Sequence, residues 1–226
     1  NPLSTPSGRI EFYSERLAKN FPDDRERPPV PHRIARGEYH QEDMGSGRAE
    51  RYPLLVMSNH PRWRTHSQHD DMTWLREIRT CKVKGPDGYL YEPAWLNPKE
   101  AGARGIKDGD IVKIYNERGA LLAGALITER VRPGVVYMDH GARWDPVVPG
   151  KLDRGGAINT ITPHNRTSKN AAGMVSSGFL AEIEKVDMDE LRKEHPEAFE
   201  RPYDPGAGLV VERVMEEGFY GKQHQA

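Results

Sequence analysis

Apolar residues along this chain come in short, punctuated runs and not in long helical stripes. The runs at 52–57, 90–95, 111–116, 120–128, 135–138 and 178–185 are short and bounded by turn-forming residues, the pattern of β-strands. Gly-centred turns separate several of them, as in Lys107-Asp108-Gly109-Asp110 and Glu117-Arg118-Gly119, where the Asp and Gly residues are read as turn chemistry and not as a metal site. Two helices fit between the strands. Residues 71–78 place apolar positions at roughly helical spacing. Residues 97–104 open with Asn97 as a cap and Pro98 at the first helical position. Gly105 suits the left-handed position that ends that helix, with Arg104 at the negative end of its dipole.

Outside this stretch the pattern changes. Residues 9–13 read as a short strand followed by a short helix. Residues 22–51 are rich in Pro, Gly and charge with almost no apolar periodicity, which marks a linker or surface connection. Residues 187–199 form a charged helix candidate, and the polar tail after it has too little apolar content for a second core. The organisation expected is a lead-in and linker over 1–51, a mainly β domain with a few helices over 52–186, and a charged helix with polar tail over 187–226. Strand number alone fits a small barrel or a sandwich.

Composition narrows the function classes. A formal charge of −1 over 226 residues gives no basis for wholesale binding to nucleic acid or to a membrane surface. No apolar run approaches the length of a membrane span, so membrane insertion is not expected. Cys81 is the single cysteine, which excludes an internal disulfide and a cluster held by cysteines of this chain alone; it reads as a packed thiol. The chain begins at Asn1 and reads as a piece of a longer polypeptide; a cytoplasmic location is expected, with any targeting signal in the part not given.

Candidate chemistry concentrates where the first strand opens into Asn59-His60-Pro61-Arg62-Trp63-Arg64-Thr65-His66-Ser67-Gln68. A strand that runs into such a loop sets its polar groups at the rim of a sheet. Arginine forks match phosphates and flat heterocycles, and Gln and Asn amides can read the edge of a base-like ring. The ligand this suggests is flat, hydrogen-bonding and phosphate-bearing. A rival reading is a zinc site from His60, His66, His69 and Asp70 or Asp71, but the Pro and Arg crowding argues against it. A hydrolytic triad has less support, since no serine stands in a G-x-S-x-G turn.

Four landmarks recur in the order of a known family. Thr5-Pro6-Ser7-Gly8-Arg9-Ile10-Glu11 resembles T-x-S-G-K-I-E, with Arg9 in place of the usual Lys. The His60–Gln68 loop resembles H-P-x-x-R-x-H-S-Q. Residues 97–112 resemble N-P-x-D-A-x-x-R-G-I-x-D-G-D-x-V, with Glu100 where Asp is usual. The fourth runs from Trp144-Asp145-Pro146 through Gly155–Thr162 to Thr167-Ser168-Lys169. By these the chain resembles the C-terminal part of the dimethyl sulfoxide reductase superfamily, and within it the large subunits of pyrogallol–phloroglucinol transhydroxylases.

The resemblance implies a six-stranded double-psi β-barrel of the aspartate decarboxylase type, binding molybdopterin guanine dinucleotide. Molybdenum or tungsten would be held by the complete enzyme, an oxidoreductase or hydroxyl-transferring relative. The fragment would not be catalytic alone, and no metal ligand or catalytic residue is assigned to it. It further implies contacts through the amides of Gln68, Asn97 and Asn159, through Arg64, Ser67 and Lys169, and through His60 and His66 at the pterin or dithiolene end. For Asn97 a purely capping role stands beside this, and Trp144 reads as a barrel plug before a stacking partner. The remaining domains of a parent large subunit and an iron–sulfur small subunit are the implied partners. The reading from another class is a standalone barrel adaptor that binds a protein partner, with the charged linker and tail as docking segments.

Overall fold

Alternation of buried and exposed residues organises the structure, a computed structural model that describes residues 1–31, 45–168 and 171–210. In β1 (Leu54–Asn59) the residues Leu54, Val56 and Ser58 are buried, while Leu55 and Met57 are half-exposed. A strand period of two does this, sending successive side chains to opposite faces. β2 (Pro93–Leu96), β3 (Ile111–Asn116), β4 (Gly119–Ile127), β5 (Val135–Asp139) and β6 (Phe179–Lys185) supply the rest of the wall.

The strands close on themselves. Hydrogen-bonded neighbours run β2-β5-β1-β6-β3-β4, and β4 pairs back onto β2 through Pro93↔Gly124 and Leu96↔Ile127. β1 with β5 and β4 with β2 are parallel pairs; the other four are antiparallel. The result is the six-stranded barrel expected from the sequence, with a topology consistent with a double-psi barrel. Its interior is filled by Leu54, Val56, Leu96, Ile114, Leu121, Met138, Phe179 and their neighbours, all fully buried or nearly so. β4 is buried on both faces: Leu121, Ala123 and Ala125 face this core, and Leu122 joins a second cluster with Tyr89, Tyr91, Ile111, Val147 and Met188.

Six short α-helices are present among the described residues. These are α1 (Glu15–Asn20), α2 (Gly47–Arg51), α3 (Thr73–Arg76), α4 (Pro98–Ala103), α5 (Met188–Glu194) and α6 (Pro196–Phe199). α4 begins as its sequence dictates: Asn97 Oδ1 accepts from the Lys99 amide, Pro98 fills the first turn, and Gly105 takes φ +64° beyond the end. Arg104 pairs with Glu100 and Glu182. Asp108 accepts from the Ile127 amide and Asp110 from the Lys107 amide, so this Asp-Gly-Asp turn is held by its own carboxylates.

Several expected elements differ. Residues 9–13 form no strand, because Thr5 Oγ1 donates to the Arg9 carbonyl and the Ser7 amide donates to Glu11; local turn bonds occupy the backbone. Ile10 and Phe12 project outward there, Phe12 at 81% exposure. The helix expected over 71–78 is the single turn α3, whose Arg76 is buried to make an ion pair with Asp70. The strand expected over 90–95 is interrupted at Glu92. Leu90–Tyr91 pairs with Val83–Lys84, whereas Pro93–Leu96 enters the barrel. Pro196 divides the charged helix into α5 and α6, since proline cannot supply the amide a continuous helix needs. Trp144 is no barrel plug: it is 60% exposed, and aliphatic side chains with Phe179 already fill the interior.

The segment after the barrel packs back on it. Phe199, Tyr203 and Leu191 contact the second cluster, the Arg154 guanidinium lies 4.0 Å from the Tyr89 ring centre, and Arg201 binds Asp145. Among the described residues no helix is long and apolar enough to cross a membrane.

Removing the largest apolar side chain at the centre tests this packing. Phe179→Ala should cost about 3–5 kcal/mol in urea unfolding, because the closed wall limits collapse onto the void; a loss below about 1 kcal/mol would contradict the assignment of Phe179 to the core.

Candidate functional site

The parallel pairing of β1 and β5 creates the site. Asn59 lies opposite Asp139 in this register, so the residues that follow, His60 and His140, leave the sheet side by side. The His140 amide donates to the Asn59 carbonyl at 3.1 Å. On the outer face of the same strands, Leu55, Met57, Val135 and Tyr137 line a cleft of about 900 Å³ together with Trp63 and Trp95. Trp95 and Tyr137 are paired across strands and meet edge to face, with centroids 5.6 Å apart. Exposed Arg62, Arg130 and Arg132 stand at its margin, and His60 and Asp139 mark its end nearest the loop. The Trp95 Nε1 is buried with no hydrogen-bond partner among the described residues.

Asp139 and Tyr137 form a hydrogen-bonded pair on this face, the phenol donating at 2.6 Å. Burial pushes the Asp139 carboxyl upward, the phenol hydrogen bond opposes this, and the charge of Glu92 adds to it. Burial and Asp139 together hold the Tyr137 phenol firmly protonated.

The loop itself is anchored by Arg64, which faces inward. Its guanidinium donates to both oxygens of Glu92 (2.7 and 3.1 Å), to Asp70 at 3.0 Å, and to the carbonyl of His140 at 3.0 and 3.3 Å. Lys82 joins Asp70 and Glu92, and Arg76 joins Asp70. Glu92 is only 1% exposed. A Cβ at Gly156 would lie 2.6 Å from Glu92 Cγ, so glycine there makes room for the carboxylate. Burial pulls the Arg64 guanidinium downward, but Glu92 and Asp70 outweigh it and leave the group more firmly protonated than usual. Burial likewise raises Asp70, yet Lys82, Arg64 and Arg76 prevail and hold it below the ordinary carboxylate range.

The backbone beyond Arg64 is equally determined. Thr65 and Gln68 exchange backbone hydrogen bonds at 3.1 and 2.9 Å, and His66 and His69 both take positive φ, 53° and 66°. Gly141 packs on this turn so closely that a Cβ would fall 2.1 Å from the His66 carbonyl oxygen. His60, His66 and His140 gather as a result, with ring centroids 4.0–5.2 Å apart. Burial, followed by the neighbouring His60, His66 and Arg64, lowers the pKa of His140 and favours its neutral imidazole.

The residues singled out from sequence therefore fall into groups. His60, His66, Ser67 and Gln68 are exposed on the loop, while Arg64 lies buried beneath them. Asn97 does not line the cleft: it is buried, with Oδ1 on the Lys99 amide and Nδ2 on the carbonyl of Val131, a cleft residue. Asn159 is exposed on the turn Ile158–Thr160 and does not line the cleft. Lys169 falls outside the described residues. The zinc set drawn from His60, His66, His69 and Asp70 or Asp71 is not assembled among the described residues: Asp70 is committed to three cations, and neither His69 nor Asp71 joins the cluster of His60, His66 and His140. Sequence reasoning included Arg62 and Trp63 in the loop without giving them a role, and it passed over Trp95, Tyr137, Arg130, Arg132 and His140. The one available signal for His140 was its place just beyond an apolar run, as His60 also stands just beyond one.

Cutting the network tests its role. Glu92→Gln leaves Arg64 and Lys82 buried against Asp70 alone and should cost about 3–5 kcal/mol in denaturant unfolding. Because Asp70 is depressed in the folded state, its contribution is complete above the unfolded value of about 4 and is lost progressively as pH falls from there through the lower folded value. Asp70→Asn should accordingly flatten the acid limb of stability against pH; an unaltered limb would count against the network.

Residues 54–177 match the family described as "Molydopterin dinucleotide binding domain". The chain is 39% identical over 188 residues to the dimethyl sulfoxide/trimethylamine N-oxide reductase of Cereibacter sphaeroides, covering 82% of this chain and 21% of that protein. It is 38% identical over 195 residues to the pyrogallol hydroxytransferase large subunit of Pelobacter acidigallici, covering 83% and 22%. Reductases and hydroxytransferase thus match at comparable identity, and the chain spans about a fifth of the length of these relatives. The acetylene hydratase of Pelobacter acetylenicus shares the fold, with TM-score 0.55 at 20% identity over 82% of this chain and 24% of that one. With more than half its length inside the matched region, and with that region forming the barrel and cleft, the chain belongs to the molybdopterin dinucleotide-binding domain family.

Proposed function

We propose that this chain is the C-terminal cofactor-holding portion of a molybdenum or tungsten oxidoreductase or hydroxyl-transferring relative, and that the outer-wall cleft receives the guanine dinucleotide form of molybdopterin. The observation that carries this is the make-up of the cleft: aromatic walls, a rim of arginines and the orphaned Trp95 Nε1 together in about 900 Å³. That size lies within the range of small-molecule sites. The organisation that goes with it is a lead-in over 1–51, the binding barrel over 52–186 and a tail over 187–226.

Each part of the ligand has a counterpart. Trp63, Trp95 and Tyr137 offer flat surface to a heterocycle. Arg62, Arg130 and Arg132 offer charge-assisted donors to a pyrophosphate. Asp139 can accept from the donor edge of guanine or pterin. His60, His66, Ser67 and Gln68 remain candidate contacts at the loop end, with Asn159 and Lys169 as candidates reaching the ligand from elsewhere. Arg64 and Asn97 act through position: one holds the loop by its ion pairs, and the other holds the helix start and the Val131 carbonyl.

When bound, the cofactor supplies the redox chemistry, and the protein supplies binding, orientation and electrostatics. Substrate pocket, protein ligand to the metal and iron–sulfur partner would belong to the rest of a parent polypeptide and its small subunit.

In the parent polypeptide, Arg62→Ala and Trp63→Ala should lower bound pterin at least tenfold, measured by fluorescence of the oxidised pterin, with circular dichroism unchanged. Normal pterin content in both variants would overturn this use of the cleft.

A further inference from the structure

We propose that residues 201–208 are a positioning strap for the loop after β1, with Tyr203 and Gly208 as positioning residues that act through Arg76. Its effect on the cofactor deepens the dinucleotide reading and rests on it. The buried guanidinium of Arg76, a residue only 4% exposed, divides its donors between two partners. Toward the loop, Nη1 donates to the Asp70 carbonyl at 2.6 Å and to the Asp70 carboxylate at 3.2 Å. Toward the tail, Nη2 donates to the Tyr203 hydroxyl at 2.9 Å and Nε to the Pro205 carbonyl at 3.2 Å. Asp70 in turn accepts from Arg64, which also holds the His140 carbonyl. An unbroken run of hydrogen bonds thus leads from the strap to the loop and on to the end of β5.

The strap bears on the Glu92 side as well. The Tyr203 hydroxyl also accepts from the Leu90 amide at 3.3 Å, and its ring packs on Tyr89 with centroids 4.4 Å apart. Leu90 stands two residues before Glu92, the carboxylate that grips Arg64. The strap holds its own shape: Tyr203–Asp204 pairs with Leu209–Val210, and the Asp204 carboxylate accepts from the Gly206 amide at 2.8 Å. The Thr73 hydroxyl donates to the Gly206 carbonyl at 3.1 Å, and Arg201 moors the start of the strap to Asp145. Gly208 takes φ +65°, and a Cβ there would fall 2.2 Å from Arg76 Cζ, so the backbone lies directly against the guanidinium. A single helical turn such as α3 does not hold a side chain in place by itself. Without the strap, two donors of a buried cation lose their acceptors, a cost that draws Arg76 toward water and away from Asp70. Coupling between distant groups is carried by contiguous contacts of this kind.

Two variants of the parent polypeptide test this. Tyr203→Phe keeps the ring on Tyr89 and removes only the hydroxyl, and Gly208→Ala drives a methyl group into Arg76. Each should speed amide hydrogen exchange over residues 64–70 by roughly 2- to 30-fold, the span for positions coupled to a remote site. Loss of bound pterin on dilution should quicken within roughly the same 2- to 30-fold range. Exchange in β3 and β4 should stay as in the unaltered protein. Glu197→Gln, at an exposed position of α6, should change neither readout. Unaltered exchange over 64–70 in both variants would overturn the strap. So would exchange that rises equally in β3 and β4, which is lost stability alone, or unaltered pterin loss where loop exchange has risen. Normal pterin content in the Arg62 and Trp63 variants would instead overturn the cleft reading, and loop exchange would then decide the strap by itself.

Discussion

Arg64 and Glu92 meet in a buried, two-pronged ion pair on which the rest of the site depends. Glu92 stands where an apolar stretch divides, half of it pairing with Val83–Lys84 and half entering the barrel wall. Arg64 stands in the loop after β1, and its remaining donors reach Asp70 and the carbonyl of His140. One guanidinium thereby ties the wall, the loop after β1 and the end of β5. Taking these charges out of water is costly, and the cost is met only because almost every donor has an acceptor. The same completeness explains why Lys82 and Arg76 are present: with Arg64 alone, two carboxylates would share one cation.

Closure of the sheet is the second constraint. Two parallel pairs in a six-stranded ring make strands distant in sequence into neighbours, as β1 is to β5 and β2 to β4. Loops that follow parallel strands emerge at the same end, which is why polar residues from around positions 60 and 140 share a rim. In an all-antiparallel ring those two strand ends would lie at opposite rims.

Much of the fold is legible in the sequence. Short apolar runs located all six barrel strands, and Asn97, Pro98 and Gly105 marked one helix start and stop, because these signals are local. What could not be read depends on partners far away in sequence. Arg64 looked like a ligand contact because its loop is polar, but only Glu92, 28 residues on, reveals that it points inward. Residues 71–78 carry helical spacing, yet Arg76 and Asp70 are drawn into the network and the helix stops after one turn. Trp144 was read as a plug because it is large and apolar, a property that says nothing of whether the interior is already full. His140 and the cleft aromatics escaped notice because no single segment contains them; only strand register brings them together.

The cleft and the core are built from opposite faces of the same strands. In β1, Leu54, Val56 and Ser58 turn inward while Leu55, Met57 and Asn59 turn to the cleft or its rim. The two sets are interleaved residue by residue, so the cleft can drift in sequence toward another ligand while the fold is left alone. That freedom covers exchanges of one residue for another and not changes in length. A single residue inserted within β1 would shift every later position by one, sending the core set outward and the cleft set inward. Substitution is therefore an open evolutionary route through this strand, and insertion a closed one.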